Sequence, residues 1–122
     1  MNKKVVIVED DRLLSIVLKK MANSIGYDVL ATCPGGRNAI ETVEKMNPDL
    51  VIMDIMLADN VSGIEAMKSI RTHSNVPVVY ITAQNDARIR QEAVTVTNSA
   101  YLLKPVKVNQ LQEAIQTVQF AA

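Results

Sequence analysis

Aromatic residues make up only 3% of this 122-residue chain, so its core must be assembled from Val, Ile, Leu, Met and Ala. There is a single cysteine, Cys33, which excludes an internal disulfide framework and fits a reducing compartment. With no His or second Cys nearby in sequence, Cys33 lacks the surroundings of a redox thiol and reads as a small residue closing a strand. Charge of one sign is missing too, because thirteen basic residues balance thirteen acidic ones. A neutral chain lacks the basic footprint of a stand-alone nucleic-acid binder, and no polybasic patch points to a membrane surface. No apolar run reaches the length of a membrane span. The short run Val5-Val6-Ile7-Val8 after the N-terminus cannot serve as a secretory signal. The expectation is a cytoplasmic chain forming one domain over residues 1–122, with no output domain attached. A chain of this length buries roughly two-thirds of its extended surface, enough for a core without metal or disulfide staples.

What the sequence does contain is alternation. Val5-Val6-Ile7-Val8, Val29-Leu30-Ala31, Leu50-Val51-Ile52-Met53, Val78-Val79-Tyr80-Ile81 and Tyr101-Leu102-Leu103 are short runs without internal polar residues. Between them lie segments with helical spacing: Leu14, Val17, Leu18, Met21 and Ile25; then Ile40, Val43 and Met46; then Ile64, Met67 and Ile70. Residues Asp86 to Val94 form a weaker helical pattern, and Leu111, Ile115 and Val118 mark the last helix. Strands apolar on both faces, alternating with helices, imply a parallel sheet covered on both sides. Five such repeats predict an α/β fold, a (βα)5 doubly wound five-stranded sheet.

In open sheets of this kind, sites form beyond the carboxyl ends of the strands. Glu9, Asp10 and Asp11 follow the first run, Asp54 ends the third, Thr82 the fourth, and Lys104-Pro105 follow the fifth. Carboxylates within about 5 Å of one another repel by about 3 kcal/mol per pair at an effective dielectric near 20. Such a cluster needs counter-charge, which Lys104 and a Mg²⁺ ion together supply to Glu9, Asp10 and Asp54. Mg²⁺ suits a site with few carboxylates, oxygen ligands and a phosphate. Asp11 reads instead as a helix N-terminal residue. Asp54, between Leu50-Val51-Ile52-Met53 and Ile55-Met56-Leu57, is the carboxylate expected to be buried and in need of partners.

These pieces, in this order, resemble the receiver domain of bacterial two-component response regulators from end to end. The resemblance rests on Val8-Glu9-Asp10-Asp11, Leu50 to Leu57 around Asp54, Gly63, Ile81-Thr82-Ala83 and Tyr101-Leu102-Leu103-Lys104-Pro105. It implies the flavodoxin-like strand order 2-1-3-4-5. It implies that Asp54 accepts a phosphoryl group from the phospho-His of a sensor histidine kinase or phosphotransfer protein. Asp10 is then a direct Mg²⁺ ligand and Glu9 acts mainly through water. The Met56 carbonyl is a further ligand, and Lys104 pairs with Asp54 and then with the phosphoryl group. Thr82 bonds a phosphoryl oxygen, Tyr101 changes rotamer on activation, and the Lys104–Pro105 bond is cis. Met56 and Gln84 border the approach of the hydrolytic water and tune how long the phosphoryl group stays.

The chain departs from the commonest pattern in several places. The loop from Asp54 to Gly63 is one residue longer, and Ala58 stands where Pro is frequent. Thr97-Asn98-Ser99-Ala100 replaces a common Gly-Ala pair, and Val106 a frequent Phe. The last helix, with Glu113 and several Gln but no Lys or Arg, is not expected to form the charge-paired dimer of many DNA-binding regulators. A single-use acceptor of this kind, with self-dephosphorylation as a side activity, is not a turnover enzyme. The rival reading is a degenerate receiver acting purely as an interaction module. A flavin binder would want a Ser/Thr/Gly-rich loop after the first strand, and an Asp-nucleophile phosphatase a second Asp where Met56 stands. His73, the only His, reads as a turn residue. Asn60 and Ser62 read as loop residues without a role, and apart from Met56 the methionines are expected mostly in the core.

Overall fold

The structure, a computed structural model, describes residues 2–83, 85–118 and 120. Strands and helices alternate: β1 (Lys3–Val8), α1 (Arg12–Ser24), β2 (Tyr27–Cys33), α2 (Gly36–Met46), β3 (Leu50–Asp54), α3 (Gly63–Arg71), β4 (Val78–Thr82), α4 (Ala87–Val94), β5 (Ser99–Leu103) and α5 (Val108–Thr117). The five strands form one parallel sheet in the order β2-β1-β3-β4-β5, as expected from the resemblance.

Period-two alternation divides the sheet's side chains between two cores. Val6, Val8, Val51, Met53, Val78 and Tyr80 meet α2, α3 and α4 on one face. Val5, Ile7, Leu50, Ile52, Val79 and Ile81 meet α1 and α5 on the other. Every residue of β3 and β4 is buried, which explains why their sequences are apolar almost throughout. Edge strand β5 is only half-buried, and α4 buries Ala93 alone among its residues. On the other edge, the β1–β2 register slips between Val5 and Val6, so that Leu30 of β2 is skipped in the pairing.

Side chains near in sequence cap the starts of α1, α3 and α4. Asp11 accepts a hydrogen bond from Leu14 N at the start of α1, which bears out its reading as a cap. Ser62 and Glu65 form a reciprocal capping box on α3, a role for Ser62 that its plain loop reading missed. Asp86 caps α4 by accepting from Arg88 N.

Two expectations about apolar residues need correction. Val17, in the predicted apolar pattern of α1, is 38% exposed, because Leu18 and Ala22 rather than Val17 point at the sheet. Among the described methionines other than Met56, Met21, Met53 and Met67 lie in or against the core, as expected, and Met46 departs from it. Met53 and Met67 are fully buried, but Met46 is 45% exposed as the last residue of α2, beyond the stretch where Ala39 and Val43 press on the sheet. His73 is exposed just past α3, with Nδ1 3.3 Å from Thr72 Oγ1.

Candidate functional site

Register brings the polar strand ends together. Val8 lies opposite Met53, so Glu9 and Asp54 leave adjoining strands side by side. Asp54 lies opposite Ile81 and Thr82 opposite Leu103, so Lys104 emerges next to them. The Glu9 amide donates to Cys33 O at 2.9 Å, and the Lys104 amide donates to Thr82 O at 2.9 Å, extending the ladders into the site. The Lys104–Pro105 peptide is cis.

Asp54 is 4% exposed, Glu9 4% and Thr82 0%, whereas Asp10 is exposed at the rim. Carboxylate oxygens of Glu9, Asp10 and Asp54 lie within 4.8 Å of one another. Lys104 Nζ sits 3.0 Å from Asp54 Oδ2, to which it donates, and 3.0 Å from Glu9 Oε1. The second contact is close without being aligned, so buried Glu9 Oε1 has an ionic neighbour but no hydrogen bond. Glu9 Oε2 accepts from Asp11 N at 3.1 Å, and Asp54 Oδ1 from Met56 N at 3.2 Å.

Burial pushes the Glu9 carboxyl up to about 7; the Asp11 amide opposes that shift and neighbouring Asp54 reinforces it. Burial pulls the Lys104 ammonium down, but Asp54 and Glu9 outweigh it and hold Lys104 above its ordinary value. With all groups ionised, three carboxylates face one ammonium, leaving two negative charges unbalanced. Three clustered carboxylates faced by a single ammonium, with an all-oxygen donor set, fit a hard divalent cation such as Mg²⁺.

Gly63 completes the surroundings of Asp54. Its amide donates to Ile55 O at 2.9 Å, and its Cα presses against the end of β3. A Cβ there would overlap Asp54 O and come within 2.8 Å of Met53 Cγ. Of the remaining predicted site residues, Met56 is 53% exposed at the rim. Tyr101 is half-buried against the core beneath α4, its ring 5.3 Å from the Arg90 guanidinium. It lies opposite Tyr80, two residues before Thr82. Gln84 lies outside the described residues. Sequence reasoning passed over Asp59 altogether. Its carboxylate accepts from the Gly36 and Arg37 amides at the start of α2, both at 3.1 Å. No local motif announces that contact, because its partners are more than twenty residues away.

The doubly wound sheet carries its acidic cluster and its lysine together at the carboxyl edge. The chain belongs to the response regulator receiver domain family, whose pattern it matches over residues 5–116. Among curated relatives, the chemotaxis protein CheY of Thermotoga maritima is 29% identical over 97% of this chain and 98% of its own length. The chain spans about half the length of the transcriptional regulators it also matches. Among solved structures, the receiver domain of a modulated diguanylate cyclase from Desulfovibrio desulfuricans superposes with TM-score 0.87 at 33% identity, covering 97% of this chain and 94% of that one. The receiver domain of a sensor histidine kinase from Pseudomonas aeruginosa, with magnesium in its active-site cleft, gives TM-score 0.82 at 28% identity, covering 95% and 96%. The chain is thus similar throughout to receiver domains of two-component signalling. Among the described residues no helix is long and apolar enough to cross a membrane.

Proposed function

We propose that Asp54 accepts a phosphoryl group from a phospho-histidine on a sensor kinase or phosphotransfer protein, in a Mg²⁺-dependent reaction. The observation that carries this reading is the setting of Asp54: buried, oriented at one oxygen by Met56 N and at the other by Lys104 Nζ, beside two further carboxylates. Asp10, Asp54 and the Met56 carbonyl are the candidate Mg²⁺ ligands, with Glu9 acting mainly through water. When bound, Mg²⁺ supplies two positive charges against the phosphoryl oxygens. The magnesium in the Pseudomonas relative's cleft supports the same assignment here.

Phosphoryl transfer demands positioning and charge neutralisation more than covalent chemistry from the protein. An Asp54 oxygen attacks phosphorus in line. The P–N bond to the donor imidazole breaks, and its electron pair stays on nitrogen, which takes up a proton. Lys104 exchanges its bond to Asp54 for one to a phosphoryl oxygen. The Thr82 hydroxyl donates to another, drawing its loop inward and making room for Tyr101. The equilibrium between resting and active forms shifts only by the difference in stabilisation between them.

The donor has to dock within reach of Asp54. Leu13, Ile16 and Val17 of α1 are 72%, 46% and 38% exposed. Leu13 and Val17 border a groove that runs past Leu14 to Lys104, Pro105 and Val106. This apolar strip at the mouth of the site suits the helices of a phospho-His carrier.

Incubation with Mg²⁺ and a small phosphodonor tests the reading. Wild type should gain the mass of one phosphoryl group and Asp54→Asn none, with the circular dichroism of the two unchanged. Phosphate on another residue would overturn the assignment, and no mass gain in wild type would favour the pure interaction module. Asp10→Ala should weaken Mg²⁺ binding more than Asp11→Ala, because Asp11 is occupied capping α1. Equal losses would mean that the acidic pair has been assigned in the wrong register.

A further inference from the structure

The segment between β3 and α3 is a strap laid against the domain. Met56, Ala58 and Asn60 face solvent, while Leu57, Asp59 and Val61 turn inward. Leu57 and Val61 pack on the core beneath α2 and α3. Asp59 between them makes the polar attachment, accepting from the Gly36 and Arg37 amides at 3.1 Å each and from Val61 N at 3.3 Å.

The start of α2 is shaped to receive it. The N-cap of α2 is Gly35, which offers no side-chain acceptor of its own, so Asp59 fills that role from the strap. The glycines allow the approach: a Cβ on Gly35 would stand 2.6 Å from Asp59 Oδ2, and one on Gly36 would stand 2.8 Å from Val61 Cγ1. The helix dipole adds a favourable field for a carboxylate there. At its other end the strap carries Met56, whose amide already bonds Asp54 Oδ1.

We infer that Asp59 is a positioning residue for the metal site: by fastening the strap to α2 it holds the Met56 backbone in register with Asp54. This rests on the receiver reading above and extends it to a residue that touches neither metal nor phosphoryl group. Groups that orient metal ligands from behind commonly account for 10–100-fold in affinity. Asp59 acts through the strap, so the lower end of that range, about tenfold, is expected. Coupling of this kind is reciprocal. Mg²⁺ binding should therefore tighten the contact between Asp59 and the start of α2.

The experiment has two readouts. Mg²⁺ affinity is measured by calorimetric titration, and amide hydrogen exchange at Gly36 and Arg37 is followed with and without Mg²⁺. In wild type, Mg²⁺ should slow exchange at those two amides. Asp59→Ala should raise the Mg²⁺ Kd about tenfold, speed exchange at Gly36 and Arg37, and abolish its response to Mg²⁺. In saturating Mg²⁺ its phosphorylation rate should return close to wild type. Asp59→Asn, which keeps an acceptor oxygen, should fall between. Gly35→Ala is an independent perturbation, since its Cβ displaces the Asp59 carboxylate while leaving that residue in place. It should weaken Mg²⁺ binding in the same direction and keeps the test decisive if Asp59→Ala folds poorly. Faster exchange in Asp59→Ala with unchanged Mg²⁺ affinity would reduce Asp59 to a helix cap and overturn the inference. Wild type that binds no Mg²⁺ at all would instead bring down the receiver reading on which it rests.

Discussion

The two sides of the sheet's carboxyl edge are built to different standards. Around Asp54 the supporting strands β3 and β4 are buried at every residue, and Gly63 and the strap close on that residue from outside. A few residues away, β5 is half-exposed, α4 buries only Ala93, and Val94 is 64% exposed. Dense packing holds the Asp54 side rigidly. Sparse burial leaves the second side easier to deform than the first. One small domain thereby sets a tightly packed edge beside a loosely packed one.

Gly63→Ala attacks the tight side most directly, since the new Cβ would overlap the carbonyl oxygen of Asp54 itself. Overpacking of this kind should cost about 3 kcal/mol, read from the urea midpoint, with phosphorylation of the folded fraction impaired as well. A tolerated Gly63→Ala with normal phosphorylation would break the claim of rigidity at Asp54. Truncation separates the two sides. Ile52→Ala, at a site 1% exposed, should cost about 3 kcal/mol in chemical denaturation. Val94→Ala, on the outer face of α4, should stay within about 0.5 kcal/mol. Similar losses at both positions would erase the comparison.

Cys33 offers a chemical probe on the tight side, 2% exposed at the end of β2 beside Glu9. Burial pushes its thiol up, so the folded protein holds that proton more tightly than the unfolded chain does. The sign follows: the thiol's contribution to stability is complete below its unfolded pKa of about 8.5 and fades as pH rises beyond it. Alkylation of Cys33 in the native protein should be much slower than in denaturant, and exchange of α4 amides much faster than that of β3 and β4. Rapid labelling of native Cys33 would contradict the packing described for this side.

The smallest effect concerns the lifetime of the phosphoryl group. Met56 is apolar and flexible, able to crowd an approaching water but not to orient it. Met56→Asn should speed dephosphorylation in excess Mg²⁺, by less than the roughly 10²–10⁴-fold of a well-placed catalyst. Gln84→Ala should leave the rate similar or slower. A slower Met56→Asn would refute the crowding argument.

Most of the architecture was legible because it rests on local patterns. Val5 to Val8, Leu50 to Met53 and Val78 to Ile81 are apolar on both faces, and their alternation with helical segments points to a covered parallel sheet. The capping box Ser62-Gly63-Ile64-Glu65 was equally open to local reading, though it was passed over. The exposure of Val17 and Met46 was not, because helical spacing identifies a stripe without stating where the sheet beneath it ends.

Local pattern dictated the number and kind of elements and the residues that cap their carboxyl ends. Chain periodicity and burial act over a few residues at a time, and Glu9, Asp10, Asp54, Thr82 and Lys104 follow their strands whatever the packing. How those ends meet was settled by the packing of distant segments. That packing set the two 3.0 Å contacts of Lys104, the unaligned oxygen of Glu9, and the reach of Asp59 across to Gly36 and Arg37. Those depend on strand register and on how closely glycine lets one backbone approach another, relations that no local pattern encodes.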